Sequence, residues 1–228
     1  MQKTFAPLCC VLALAFPGSS KAGDPTFEPF RFEDDATRFT NSVRFPDVAG
    51  DIEVELKCVA WFDRGRTRVV SCDGARRFEA FHYAVLRSGP RFLRGTRAKL
   101  GERSIAVNVP FRVRFRQKAG AQSVAVFPNH GESAETHGEG YLGPQQVEAK
   151  RRAGRYLHCN WGVDLGFAIH TAAKVGPPVK VVPIEGKPRE ICARSVKGVI
   201  MTKTYLPGMV GDEPVATTRD LQTLRRYR

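Results

Sequence analysis

The stretch "DIEVELKCVAWFDRGRTRVVSC", Asp51–Cys72, decides the fold class. Ile52, Val54, Leu56 and Cys58 alternate with Glu53, Glu55 and Lys57, the period-two pattern of a strand with one buried and one solvated face. Asp63-Arg64-Gly65 reads as a turn, because Asp bonds its own backbone and Gly accepts a positive φ. "RTRVVSC" then returns as a second strand. A hairpin centred on Gly65 sets Cys58 opposite Cys72, close enough for a disulfide.

The opening of this stretch recurs. "CVAWFDRG", Cys58–Gly65, comes back as "CNWGVDLG", Cys159–Gly166, with Cys, Asp and Gly at the same offsets. A repeat with a separation of about a hundred residues predicts two small units rather than one large domain. In the first, "RRFEAFHYAVLRSG" places Phe78, Phe81 and Val85 at helical spacing, and Ser88-Gly89-Pro90 is expected to stop the helix. "SIAVNVPFRVRF", Ser104–Phe115, alternates again, with Ile105, Val107, Val109, Phe111, Val113 and Phe115 on one face. Pro110 has no N–H to give, so this strand is expected at a sheet edge. Strand, strand, helix, strand makes a three-stranded antiparallel sheet with a helix packed on it, an α+β unit.

The second copy follows the same order, with "RYLHCNWGV" and "FAIHTAAKV" as its hairpin. Residues 176–190, "GPPVKVVPIEGKPRE", read as an insertion before the helix "EICARSVKGVI". The position facing Cys159 across this hairpin would be Ala173, so the second bridge is expected between Cys159 and Cys192. The predicted organisation is a signal peptide at 1–22, an N-terminal extension at 23–44, a first unit at 45–116, a linker at 117–152 and a second unit at 153–228. The polar, Gly-rich "NHGESAETHGEGYLGP" suits a loop.

Residues 1–22 read as a cleavable export signal: Lys3, the apolar run Phe5–Phe16, Pro17-Gly18, then small residues at Ser20 and Ala22. The remainder carries 34 Lys and Arg against 23 Asp and Glu, a formal charge of +11. Export accounts for four paired cysteines, and none has the spacing of a zinc knuckle. His130, Glu132, Glu135, His137 and Glu139 would be the ligands of a metal-dependent hydrolase, but on a loop with nothing to fix their geometry. No triad, phosphate loop or paired-carboxylate motif is present, so the expectation is a non-enzymatic protein without cofactor or metal. In "FRVRFRQK" the arginines and aromatics fall on opposite faces, which argues against stacking on nucleic acid.

Gly50 before an alternating strand, the Asp-x-Gly turn, a return strand ending at Ser71–Gly74, the helix, Arg91-Phe92 and a basic connection into "VPFRVRF" resemble the TonB C-terminal domain. The resemblance covers most of residues 45–116 and, more weakly, 153–222, where "TYLPGMVGDEPV" is similar to the family's segment of Pro, Gly and Pro-Val. It implies a periplasmic module that binds a protein or an extended peptide, such as a segment of an outer-membrane transporter or of a partner anchored in the inner membrane. Arg94-Gly95 stands where the family has Pro-Ala, and the chain has neither that family's anchor nor its long spacer, so energy coupling itself is not implied. Strand addition at the expected edge would use Ser104, Ala106, Asn108, Pro110, Arg112 and Arg114, the arginines meeting acidic flanks of the guest. A homodimer through that edge is the competing occupant, and the alternative function is that of an exported cationic protein binding nucleic acid or making peripheral contact with an anionic envelope surface, or of a small metal-dependent hydrolase.

Overall fold

The hairpin forms as β2 (Ile52–Asp63) and β3 (Arg66–Cys72). In the computed structural model, which describes residues 25–72, 78–148, 166–185 and 190–222, the loop is two residues long, Arg64 at φ 52° and Gly65 at φ 76°. Two successive left-handed residues give a turn whose twist matches the strands. Pairing begins as Asp63 with Arg66 and Phe62 with Thr67, then slips between Phe62 and Trp61, where β3 carries an extra residue. Without this bulge Cys58 would face Ser71. With it Cys58 faces Cys72, and the two are bridged.

The inward face of β2 packs with that of β6 (Val107–Lys118) to make the main core. Leu56, Cys58, Ala60 and Phe62 join Val109, Phe111, Val113 and Phe115, none more than 1% exposed. α2 (Glu79–Phe92) covers them with Phe81 and Val85. This helix does not stop at Ser88-Gly89-Pro90 but includes Pro90 in its last turn, where the missing N–H forfeits a single bond. Gly89 is there for space: a Cβ on it would lie 2.8 Å from Val70 Cγ2.

The segment expected as an extension belongs to this core. Between β1 (Phe27–Glu28) and α1 (Thr37–Ser42), Phe30 is wholly buried and stacks on Phe62 at 3.8 Å, and within α1 Phe39 is buried too. The Gln145 side chain holds the Phe30 backbone from both sides, accepting from its N–H at 2.9 Å and donating to its carbonyl at 2.7 Å. β1 pairs with β4 (Lys99–Leu100), and β4 with β5 (Arg103–Ser104).

Two sequence expectations fail at β6. It is an interior strand: β2 pairs with it from Val107 to Gln117, while β7 (Ala121–Phe127) and β8 (Gln145–Val147) occupy its other side. β8 pairs with Val107 and Asn108, β7 with Arg112 to Lys118, and Pro110 falls in the interval between them. The proline therefore marks a change of partner, not an edge. Residues 117–152 are likewise more than a linker, since β7, the short α3 (Ala134–His137) and β8 all come from them. Ala119 at φ 48° and Gly120 at φ 81° turn the chain from β6 into β7.

β9 (Gly166–His170), β10 (Lys180–Glu185) and β14 (Thr218–Gln222) form a second antiparallel sheet in the order β10-β9-β14, preceded in its last strand by α4 (Glu190–Met201). Its core is Phe167, Ile169, Val181, Ile200 and Tyr205. β10 comes from the stretch expected as an insertion, and β9, expected as a flanking return strand, is central among the described residues. The order β10-β9-β14 parallels β3-β2-β6, so a repeat of small sheets is compatible with the topology. The "RYLHCNWGV" strand and the Cys159–Cys192 pairing lie outside the described residues. β11 (Tyr205–Leu206) pairs with β8 and so joins the first sheet, while β12 (Gly208–Val210) and β13 (Glu213–Val215) form a separate hairpin. The architecture is α+β, built from antiparallel sheets.

Candidate functional site

The six residues expected to receive a guest strand are already committed. Ser104 pairs with Lys99, and the Ala106 carbonyl accepts from the Glu148 N–H at 2.9 Å. Asn108 donates its side-chain amide to Glu148 and its carbonyl accepts from Arg219 Nη1 at 3.2 Å. Pro110 is buried opposite Val59. Arg112, 4% exposed, pairs with Glu55 at 3.2 Å and with Glu139, and lies 4.4 Å from the centre of the Phe127 ring. Arg114 takes Glu55 at 2.9 Å and the same ring at 4.8 Å. Both arginines are neutralised within the fold, so the site placed on this strand is corrected on two grounds: β6 is an interior strand, its second side taken by β8 and β7 except for the short interval at Pro110, and its cations have partners.

The same outer face of β2 and β6 carries the most perturbed titratable groups. Lys57 donates to Glu132 Oε1 at 2.7 Å and to Asp220 Oδ2 at 2.6 Å. Burial pushes the Glu132 carboxyl up to about 7, aided by a hydrogen bond with Asp220 and opposed by Lys57. For Asp220 burial acts upward, but the hydrogen bonds from Glu132 and Lys57 and the charge of Lys57 outweigh it and hold the group low. Burial also works against the Lys57 cation, and its two carboxylate partners more than offset that, raising it. His130 is 3% exposed with Nε2 2.7 Å from the Cys58 carbonyl, which accepts only, so Nε2 carries the proton. Burial, then the nearby Arg219 charge, lowers it to about 3 and keeps the ring neutral.

The five residues considered as metal ligands are thus drawn to different places. His130 and Glu132 have the partners just named, His137 Nε2 lies 3.3 Å from the Ala216 carbonyl, Glu139 serves Arg112 and Arg114, and Glu135 is exposed. Lys57, Asp220 and Arg219 were not singled out from the sequence. Their partners are 75 to 163 residues away, and no local spacing encodes that.

A different edge is unpaired, with α1 packed alongside it. Among the described residues, no strand pairs with the outer side of β7, "AQSVAVF". Alongside it a cleft of about 430 Å³ lies between Thr40, Asn41, Val43 and Phe45 on one wall and Gln122, Ser123 and Val124 on the other. The strand itself has no charge. Arg44 is exposed between two of the lining residues, and on β6 the exposed Arg116 and Lys118 stand opposite Ser123 and Ala121. Val124, Val126 and Phe127, residue types that favour strands, were the signal that could have found this one.

Comparison with protein-family models, with curated proteins and with solved structures finds no match for this chain.

Proposed function

We propose that the protein is an exported, non-enzymatic binding module that takes an extended, acidic segment of another envelope protein onto the outer edge of β7. The observation that carries this reading is the seven-residue, uncharged edge with a cleft beside it. Exposed edges invite pairing, and proteins ordinarily block them with lysine, proline or a bulge. β7 has none of these among its residues. A guest strand there would gain affinity from main-chain hydrogen bonds and selection from alternate side chains, one set of which would enter the cleft. Arg44 and Lys118 on its flanks favour acidic guests. The resemblance to TonB C-terminal domains was read from the sequence over β2, β3, α2 and β6, and it implies this class of guest.

Hydrogen exchange on the full chain, with and without a panel of extended acidic peptides, tests the proposal. Alternate β7 amides should exchange fast in the free protein and become protected when a peptide binds. Val124→Pro, at a position whose N–H faces away from β6 in the alternation set by the Lys118–Ala121 pair that closes the turn, should then abolish binding with the fold retained. Binding that leaves the β7 amides unchanged, or that survives Val124→Pro in a folded protein, would overturn the reading. So would slow exchange in a dimer whose β7 edges pair with each other.

A further inference from the structure

Arg219 stands opposite Ile169 in the β14–β9 pairing, on the face whose other members, Phe167 and Val181, form the second core. It is 1% exposed. Its Nη1 donates to the carbonyls of Asn108 at 3.2 Å and Pro144 at 3.3 Å. Nε and Nη2 have no partner. These two nitrogens form one edge of the guanidinium, with two roughly parallel N–H donors, the fork that grips the two oxygens of a carboxylate. The Tyr205 hydroxyl, in the same core and within electrostatic reach of Arg219, is also buried without a partner.

A fully buried cation needs a counter-charge in contact. Among the described residues no carboxylate lies within ion-pair distance of Arg219. Glu132 and Asp220 act on it only through space, and both are held by Lys57. A water molecule could occupy the fork but would leave the buried Arg219 cation without a counter-charge in contact.

We infer that the Nε–Nη2 edge of Arg219, together with the Tyr205 hydroxyl, is a buried binding site for a small monocarboxylate of the formate or acetate class. The two oxygens meet the guanidinium fork and Tyr205 donates a third hydrogen bond. This site is separate from the β7 edge and does not depend on it.

The test is thermal unfolding and calorimetric titration of the full chain with sodium formate and sodium acetate, against sodium chloride at equal ionic strength. Acetate or formate should raise the unfolding temperature saturably beyond the chloride control, with heat of binding at about one site per chain. Arg219→Met should remove the carboxylate-specific part, and Tyr205→Phe should weaken the affinity several-fold. If Arg219→Met does not fold, Arg219→Lys, which keeps the charge but not the fork, should show the same loss. A response equal to that of chloride, no saturable heat, or an unchanged response in Tyr205→Phe and the Arg219 variants would each overturn the inference and leave water as the occupant.

Discussion

Lys57 and Asp220, 163 residues apart in sequence, meet at 2.6 Å and fasten the second sheet to the outer face of the first. Lys57 is on β2 and Asp220 on β14, while Glu132, from the segment between them, completes the contact. Losing the cation would leave two largely buried carboxylates facing each other. Because a third of the Lys57 side chain is exposed, solvent screens part of the interaction. Lys57→Met should therefore cost about 1–3 kcal/mol, below the figure for a fully buried pair. In a double-mutant cycle with Asp220→Asn the two losses should fall short of additivity. Urea unfolding of the four proteins measures this, and strict additivity would mean that the two groups are uncoupled.

His130 and Glu132 should pull the pH dependence of stability in opposite directions. His130 has its ordinary 6.5 lowered to about 3, so between these values the unfolded chain binds the extra proton and stability from this group rises with pH. Glu132 has 4.5 raised to about 7, so in that window the folded chain holds the extra proton and stability falls as pH rises. The slopes oppose from about 4.5 to 6.5, and the wild-type profile should be flat there. Glu132→Gln should uncover the rise and His130→Gln, whose amide can still donate to the Cys58 carbonyl, the fall towards pH 7. Urea midpoints from pH 4 to 8 would show it; parallel profiles in all three proteins would contradict it.

The Cys58–Cys72 bridge closes a loop with a sequence separation of 14. Removing it through a Cys58→Ala, Cys72→Ala double variant should lower stability by about 3 kcal/mol, the size expected from loop-closure entropy. Guanidinium unfolding of the variant, beside the parent with and without reductant, measures the loss. Non-reducing peptide mapping should recover Cys58 and Cys72 on one linked fragment.

Gly65 and Gly50 both have positive φ, 76° and 77°, yet they should respond differently to alanine. A Cβ at Gly65 would lie 2.4 Å from the Gly95 carbonyl oxygen, whereas one at Gly50 meets nothing within 4 Å. Gly50→Ala should cost about 1 kcal/mol of backbone strain alone. Gly65→Ala adds a backbone collision in the hairpin turn and should cost at least twice as much by thermal unfolding.

Local alternation was readable from the sequence, and what depended on distant partners was not. The odd-and-even patterns in 51–62 and 104–115 set the buried faces, and Phe111, Val113 and Phe115 do point into the core. The register of Cys58 against Cys72 followed from the turn, although a bulge that left no mark in composition is what secures it. Pro110 misled because one missing N–H has the same signature at an edge and at a junction between two partner strands. β7 was hidden by the Gly-rich residues that follow it. Phe30 and Phe39 lie outside any periodic run, so their burial could not be read from spacing. Lys57 looked like the solvated half of an alternating strand, and only the arrival of β14 makes it a clamp.

β8 is three residues long, yet it has β6 on one side and β11 on the other. The chain's halves are consequently threaded through a common sheet, and the duplication suggested by the sequence is no longer divisible. A backbone cut between β8 and β9 would not liberate two autonomous proteins. It would give a pair of complementary fragments, one lacking the strand that seals β8 and the other lacking the surface on which Asp220 lands, each competent to fold to completion only by finding the other.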